Sequence, residues 1–284
     1  MEKAWAKIYG SYQRIEAGLT GEALPFLTGA PSGTYQHDRF YWSPDKLWEL
    51  IENADKKQYV MTTSVSTSSS DKLGAEASSA GLVDAHAYSL IAAVEIDLGM
   101  LQKQKLLMIR NPWGFKEWHG QWGDSSNKWK QHPSAKQSIT DILSKRQNVP
   151  AAVIEETYLK QDSNDGCFWI SFDDYTRFFN VTSICYTSSR VSESWIEDMQ
   201  EGKFGVISLK VLKDIESDCL VTLNQINHRH MDETMRGCYK YAPVKLIVAQ
   251  VLDQKKNGQK DIVYISGESS DETSRDGATP LRFS

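Results

Sequence analysis

Gly81-Leu82-Val83-Asp84-Ala85-His86-Ala87-Tyr88-Ser89 leads into an apolar stretch, 87–96, and Arg110-Asn111-Pro112-Trp113-Gly114 closes a second one, 105–110. Both stretches read as β-strands. A hairpin joining them carries Asn111, at the end of the second strand, back alongside His86, at the start of the first. Proline at 112 keeps Asn111 out of the α region and so fixes the direction of its side chain. An amide oxygen in that place can hold an imidazole in one orientation, the third-group role of a Cys-His-Asn site. Trp113 can cover the contact and exclude water. Without Asn111, His86 reads as an ordinary structural histidine.

Upstream of the hairpin, residues 2–17 read as a helix, with Ala4, Ile8, Tyr12 and Ile15 at helical spacing and Gly18 as its stop. A stretch punctuated by Gly and Pro follows, from Gly21 to Gly33. Ser43-Pro44-Asp45 then starts a second helix, with Ser43 as N-cap and an apolar stripe of Leu47, Trp48, Leu50 and Ile51. Residues 59–61 read as a short strand, and the Ser- and Thr-rich run 62–70 as a surface loop. Downstream, the polar segment 131–160 holds a short helix around 138–145. A strand at 168–172, a turn or short helix at 173–179 and a strand at 182–187 complete this part. After a linker near 188–193 only strands follow, at 205–212, 219–225, 244–252 and 261–266, which reads as a small antiparallel β-sandwich. The chain reaches Pro280-Leu281-Arg282-Phe283-Ser284 soon afterwards, so the sandwich is expected to lack strands.

The chain's 284 residues suit two domains, and 40% hydrophobic with 24% charged residues provide for real cores. No apolar run reaches the length of a transmembrane helix, and the N-terminus has no apolar region of a signal peptide. A net charge of −5 argues against a nucleic-acid partner. The four cysteines, Cys167, Cys185, Cys219 and Cys238, form no CxxC pair. They read as reduced thiols of a cytosolic protein and not as a zinc site. His228 and His230 have no further ligand spaced to complete a metal site and read as a surface pair. Trp113, Trp118, Trp122 and Trp129 are four of the nine tryptophans, gathered in one short loop.

The His86 and Asn111 motifs, followed by Glu117-Trp118-His119-Gly120-Gln121-Trp122-Gly123-Asp124-Ser125-Ser126, resemble the histidine and asparagine motifs of calpains. Calpains are cytosolic, calcium-dependent cysteine endopeptidases of the papain-like class. Gly166-Cys167-Phe168-Trp169-Ile170-Ser171-Phe172 resembles the strand closing the calpain protease core, and Glu2 to Tyr12 the helix that begins its second half. The fold this implies is α+β: residues 1–190 as the β-rich second half of a papain-like calpain core, and 194–284 as part of a calpain-type β-sandwich. Tyr239 to Val248 carries the resemblance of the second part most clearly.

Carried over, the resemblance makes His86 the base partner of the nucleophile, Asn111 its orienter and Trp113 the tryptophan at the cleft. Glu117, Asp124 and Asp165 fall where calpains hold calcium. Cys167 stands where an acidic calcium ligand is usual, so calcium is expected to bind weakly, with a Kd on the order of 10⁻⁴ M or poorer. Calpains carry the nucleophile in a Gln-x-x-x-x-x-Cys-Trp segment of a preceding half-core, and none of the four cysteines has that context. The expectation is a calpain-like endopeptidase lacking its cysteine-bearing half and inactive alone, acting on protein substrates once completed. The alternative is a non-catalytic homologue that binds calcium, peptides or a membrane, with membrane contact through the β-sandwich. A bare structural module is disfavoured by the pairing of His86 with Asn111.

Overall fold

Leu106, Leu107, Met108 and Ile109 are four consecutive apolar residues in one strand, and all four are buried. A strand with no polar alternation must be covered on both faces, and the computed structural model shows how. It describes residues 1–38, 43–65, 72–99, 102–161, 165–187, 217–223, 225, 231, 233–236, 238, 240, 245–252, 261–269 and 277–283. Its elements are α1 (Glu2–Tyr9), a short 3₁₀ turn (Gln13–Ile15), α2 (Thr20–Thr28), β1 (Ser32–Gln36), α3 (Pro44–Lys56), β2 (Val60–Val65), α4 (Lys72–Ser79), β3 (His86–Asp97), β4 (Lys103–Arg110), α5 (Lys128–Gln131), α6 (Ser134–Gln147), α7 (Ala151–Tyr158), β5 (Cys167–Ser171), α8 (Phe172–Phe178) and β6 (Val181–Cys185). They continue with β7 (Ser217–Leu223), α9 (Glu233–Arg236), β8 (Lys245–Leu252), β9 (Asp261–Ser269) and β10 (Gly277–Phe283). No helix among the described residues is long and apolar enough to cross a membrane.

The chain divides into one unit of Leu19–Thr187 and another of Met1–Gly18 with Ser188–Ser284. In the first, six strands form one antiparallel sheet in the order β1-β6-β2-β3-β4-β5. Alternation sends Leu107, Ile109, Phe168 and Ile170 to one face, where they meet Leu47, Trp48 and Ile51 of α3 and Phe172, Tyr175 and Phe178 of α8. Leu106, Met108 and Trp169 go to the other face, against Ala135, Ile139 and Leu143 of α6 and Ile154 of α7. The result is an α+β fold with a helix-covered sheet, the class the sequence implies. The tryptophan loop is shared between the layers: Trp118 packs in the first, and Trp122 and Trp129 in the second.

Several local expectations change. The first helix ends at Tyr9, because Gly10 takes a left-handed conformation (φ 94°) and stops it. The Gly- and Pro-rich stretch contains a helix, α2, despite Pro25 inside it. Proline has no N–H for the Gly21 carbonyl one turn back, and the Ser32 hydroxyl donates to that oxygen instead (2.6 Å). The Ser- and Thr-rich run begins as a strand. Thr63 is buried within β2 and donates to the Val181 carbonyl (2.8 Å), so its hydroxyl is satisfied in the core. Residues 66–70 of that run lie outside the described residues.

In the second unit, β7 pairs with β10 and β8 with β9, each antiparallel. The strand at 277–283 was not anticipated, and it pairs with β7 along its whole length. Pro280 sits opposite Leu220 in that ladder. The strand expected at 205–212, the linker near 188–193 and the pair His228 and His230 lie outside the described residues.

Candidate active site

The turn before β3 sets the histidine. Ala85 takes a positive φ of 47°, and the Tyr88 hydroxyl accepts the Val83 N–H (2.7 Å), so the chain is held as it enters the strand. Burial pushes the Tyr88 phenol up to about 12, which keeps it a neutral hydroxyl. His86 then opens β3 while Asn111 follows the last residue of β4. The register places Ser89 opposite Arg110, which brings the two strand ends together.

His86 Nε2 lies 2.9 Å from Asn111 Oδ1. The amide orientation is fixed by its other end: Asn111 Nδ2 donates to the carbonyls of Phe115 (2.8 Å) and Lys116 (3.0 Å), which can only accept. The oxygen therefore faces the imidazole, and a neutral His86 donates from Nε2 and keeps its lone pair on Nδ1. The same oxygen accepts the Trp113 N–H (3.0 Å), and Asn111 is fully buried. Trp113 packs over the histidine with ring centroids 4.4 Å apart, and the Tyr88 ring meets His86 edge-on at 4.9 Å. Trp113 and its stacked neighbour Phe115 each remain 50% exposed, so the pair borders an apolar surface.

The three candidate calcium carboxylates do not gather. Glu117 is buried, and its Oε1 accepts the Gly166 N–H (2.9 Å). Asp165 Oδ1 accepts the Cys167 N–H (2.7 Å). Asp124 borders a small cavity together with Lys136, Lys160 and Cys167. Burial, reinforced by Asp165, pushes the Cys167 thiol up to about 12, so this position offers a neutral sulfur where Ca²⁺ takes oxygen. Among the described residues no group of three or more His, Cys, Asp or Glu side chains is placed to hold a metal ion. These donors do not fit a calcium cage.

A model of the calpain family cysteine proteases matches residues 1–186. The chain belongs to the calpain family. It is 34% identical over 187 residues to the calpain-2 catalytic subunit of Bos taurus, a match covering 65% of this chain and 23% of that protein. It is 32% identical over 185 residues to calpain-9 of Homo sapiens, covering 65% and 24%, and 31% identical over 204 residues to calpain-5 of Caenorhabditis elegans, covering 65% and 29%. This calpain chain thus spans less than a third of the length of these curated relatives.

Two parts of the site escaped the sequence reading. Tyr88 stands two residues after His86, on the same side of the strand, and that spacing was the available signal. Gly166 has a positive φ of 79°, and its carbonyl accepts the Asn111 backbone N–H (2.8 Å). A Cβ there would lie 2.5 Å from the Asn111 carbonyl oxygen.

Proposed function

We propose that Leu19–Thr187 is the histidine- and asparagine-bearing half of a calpain-type cysteine endopeptidase, with protein substrates. The observation that carries this is the His86 Nε2 to Asn111 Oδ1 contact, because it leaves Nδ1 as the nitrogen able to take a proton. In this reading Nδ1 accepts the proton of a cysteine thiol as the sulfur attacks the scissile carbonyl. The imidazolium, steadied by Asn111, then gives that proton to the leaving amine. Trp113 shields the Nε2 to Oδ1 bond from water, and its exposed face with Phe115 suits contact with the cysteine-bearing half.

The nucleophile in this reading comes from outside these residues. Cys167 and Cys185 are both pushed up by burial, and among the described residues neither thiol is hydrogen-bonded to a histidine. With Glu117 and Asp165 accepting backbone N–H groups and a neutral Cys167 sulfur beside them, this half is assigned no calcium step.

The test is complementation. The chain mixed with the cysteine-bearing half of a calpain relative is expected to hydrolyse a peptide substrate, while either part alone does not. His86→Ala should lower kcat of the mixture by several orders of magnitude, as losing one member of such a unit does. Hydrolysis by the chain alone, or activity of the mixture that His86→Ala leaves intact, sinks the reading.

A further inference from the structure

Glu117 sits in a closed ring of contacts around Asn111. Asn111 Nδ2 donates to the Lys116 carbonyl (3.0 Å), and Lys116 is bonded to Glu117. The Glu117 carboxylate accepts the Gly166 N–H (2.9 Å), and the Gly166 carbonyl accepts the Asn111 backbone N–H (2.8 Å), which closes the ring. Apart from Asn111 itself, Glu117 is the only side chain in this circuit. Its own backbone is pinned as well. Gly81 approaches so closely that a Cβ there would lie 1.8 Å from the Glu117 carbonyl oxygen, and the His119 N–H is bonded to Ala80 (2.8 Å).

We propose that Glu117 is a positioning residue that acts through Gly166 to hold Asn111 against His86, and that this latch works without a metal ion. A buried carboxylate accepting a backbone N–H makes a charge-assisted hydrogen bond, among the stronger kinds available to a loop. Gly166 takes a left-handed conformation directly against Asn111, so the carboxylate holds its peptide where it meets the asparagine backbone. Removing the carboxylate leaves the Gly166 N–H buried without an acceptor and frees the peptide that fixes the Asn111 backbone. The amide then loses its aim at Nε2.

The inference rests on the reading of His86 and Asn111 as a working pair, but its test reads geometry and not hydrolysis, so the two can fail separately. The full chain is labelled with ¹⁵N, and the His86 ring nitrogens are followed by long-range ¹H–¹⁵N spectra. The wild type is expected to show predominantly the Nε2–H tautomer, with the same shifts in chelator and in millimolar calcium. Glu117→Ala should lose this wild-type signature, both nitrogen signals shifting as the Nε2–H loses its fixed acceptor. Glu117→Gln, whose amide oxygen can accept the same N–H, should keep it. A folded Glu117→Ala with wild-type His86 signals overturns the proposal, as does a wild type that reaches the Nε2–H tautomer only when calcium is added. If Glu117→Ala does not fold, Glu117→Gln decides alone: unchanged signals in both conditions support the latch, and a loss of the tautomer overturns it.

Discussion

Arg146 of α6 meets the Asp55 carboxylate of α3 at the point where β2 runs out and β3 continues without it. The β2 ladder stops at Leu90, so the Ala93 peptide of β3 faces a place with no strand. The pair fills it. Asp55 accepts the Ala93 N–H (3.1 Å), and Arg146 donates to the Ala93 carbonyl (2.9 Å). An ion pair thus takes the ladder bonds that a neighbouring strand would have taken, and ties a helix from each face to the sheet.

Asp55→Ala is therefore expected to destabilise the first unit by roughly 3 kcal/mol, since it leaves a largely buried guanidinium without its carboxylate and a buried N–H without an acceptor. Urea unfolding of the full chain measures this. A double-mutant cycle with Arg146→Ala should return a coupling of at least about 1 kcal/mol. A coupling near zero would mean the two side chains hold the Ala93 peptide independently.

Acid should weaken the fold through His37. Its Nδ1 lies 2.7 Å from the Phe179 carbonyl and its Nε2 2.7 Å from the Thr182 hydroxyl, and burial lowers its pKa from 6.5 to about 4. The unfolded chain binds the proton more readily, so the stability this group provides is full above pH 6.5 and is lost as pH falls towards 4. The loss amounts to as much as roughly 3 kcal/mol. His37→Gln should flatten the stability profile between those limits. An equally steep profile in that variant would assign the acid sensitivity elsewhere.

How much of this was legible in the sequence follows from the range of each signal. Asn111 before Pro112 and the unbroken run Leu106–Ile109 are local, so the strand ends and the His86 pairing could be read directly. The helix at α2 could not, because its Pro25 is tolerated through Ser32, a hydroxyl seven residues on whose reach no periodicity reports. Thr62, Thr63 and Ser64 looked like loop, since only the β6 neighbour tells a buried threonine strand from a mobile one. Asp55 left a readable trace. It falls on the apolar stripe of α3 beside Ile51 and Ala54, and a charge there needs a partner. For the candidate calcium acids, spacing puts them in neighbouring loops but says nothing of the backbone amides that Glu117 and Asp165 accept from.

Thiol chemistry separates the cysteines. Cys238 is exposed, whereas Cys167 is partly buried with its pKa near 12 against an ordinary 9.0. At mildly alkaline pH, iodoacetamide should modify Cys238 well before Cys167, whose thiolate fraction is on the order of 10³ smaller than that of a free thiol. Mass spectrometry of the labelled peptides reads the order. Preferential labelling of Cys167 would reopen its candidacy as a nucleophile.

Asn111 offers the sharpest contrast between shape and hydrogen-bond polarity. Asn111→Ala removes two donors from the part-buried hydrogen bonds to the Phe115 and Lys116 carbonyls, at roughly 1–3 kcal/mol. Asn111→Asp keeps the shape but turns lone pairs of a carboxylate toward those two carbonyls, so at neutral pH it is expected to be less stable than the alanine variant despite its larger side chain. The mismatch raises the aspartate's folded pKa above its unfolded value, so protonation should restore stability as pH falls through that range, because a carboxylic acid can donate to one of the carbonyls. Urea midpoints for the three proteins at neutral and acidic pH give the order directly. An aspartate variant more stable than alanine at neutral pH would mean that an ion pair with His86 outweighs the two carbonyl contacts, and that the amide's donors are not what fixes the orientation of this side chain.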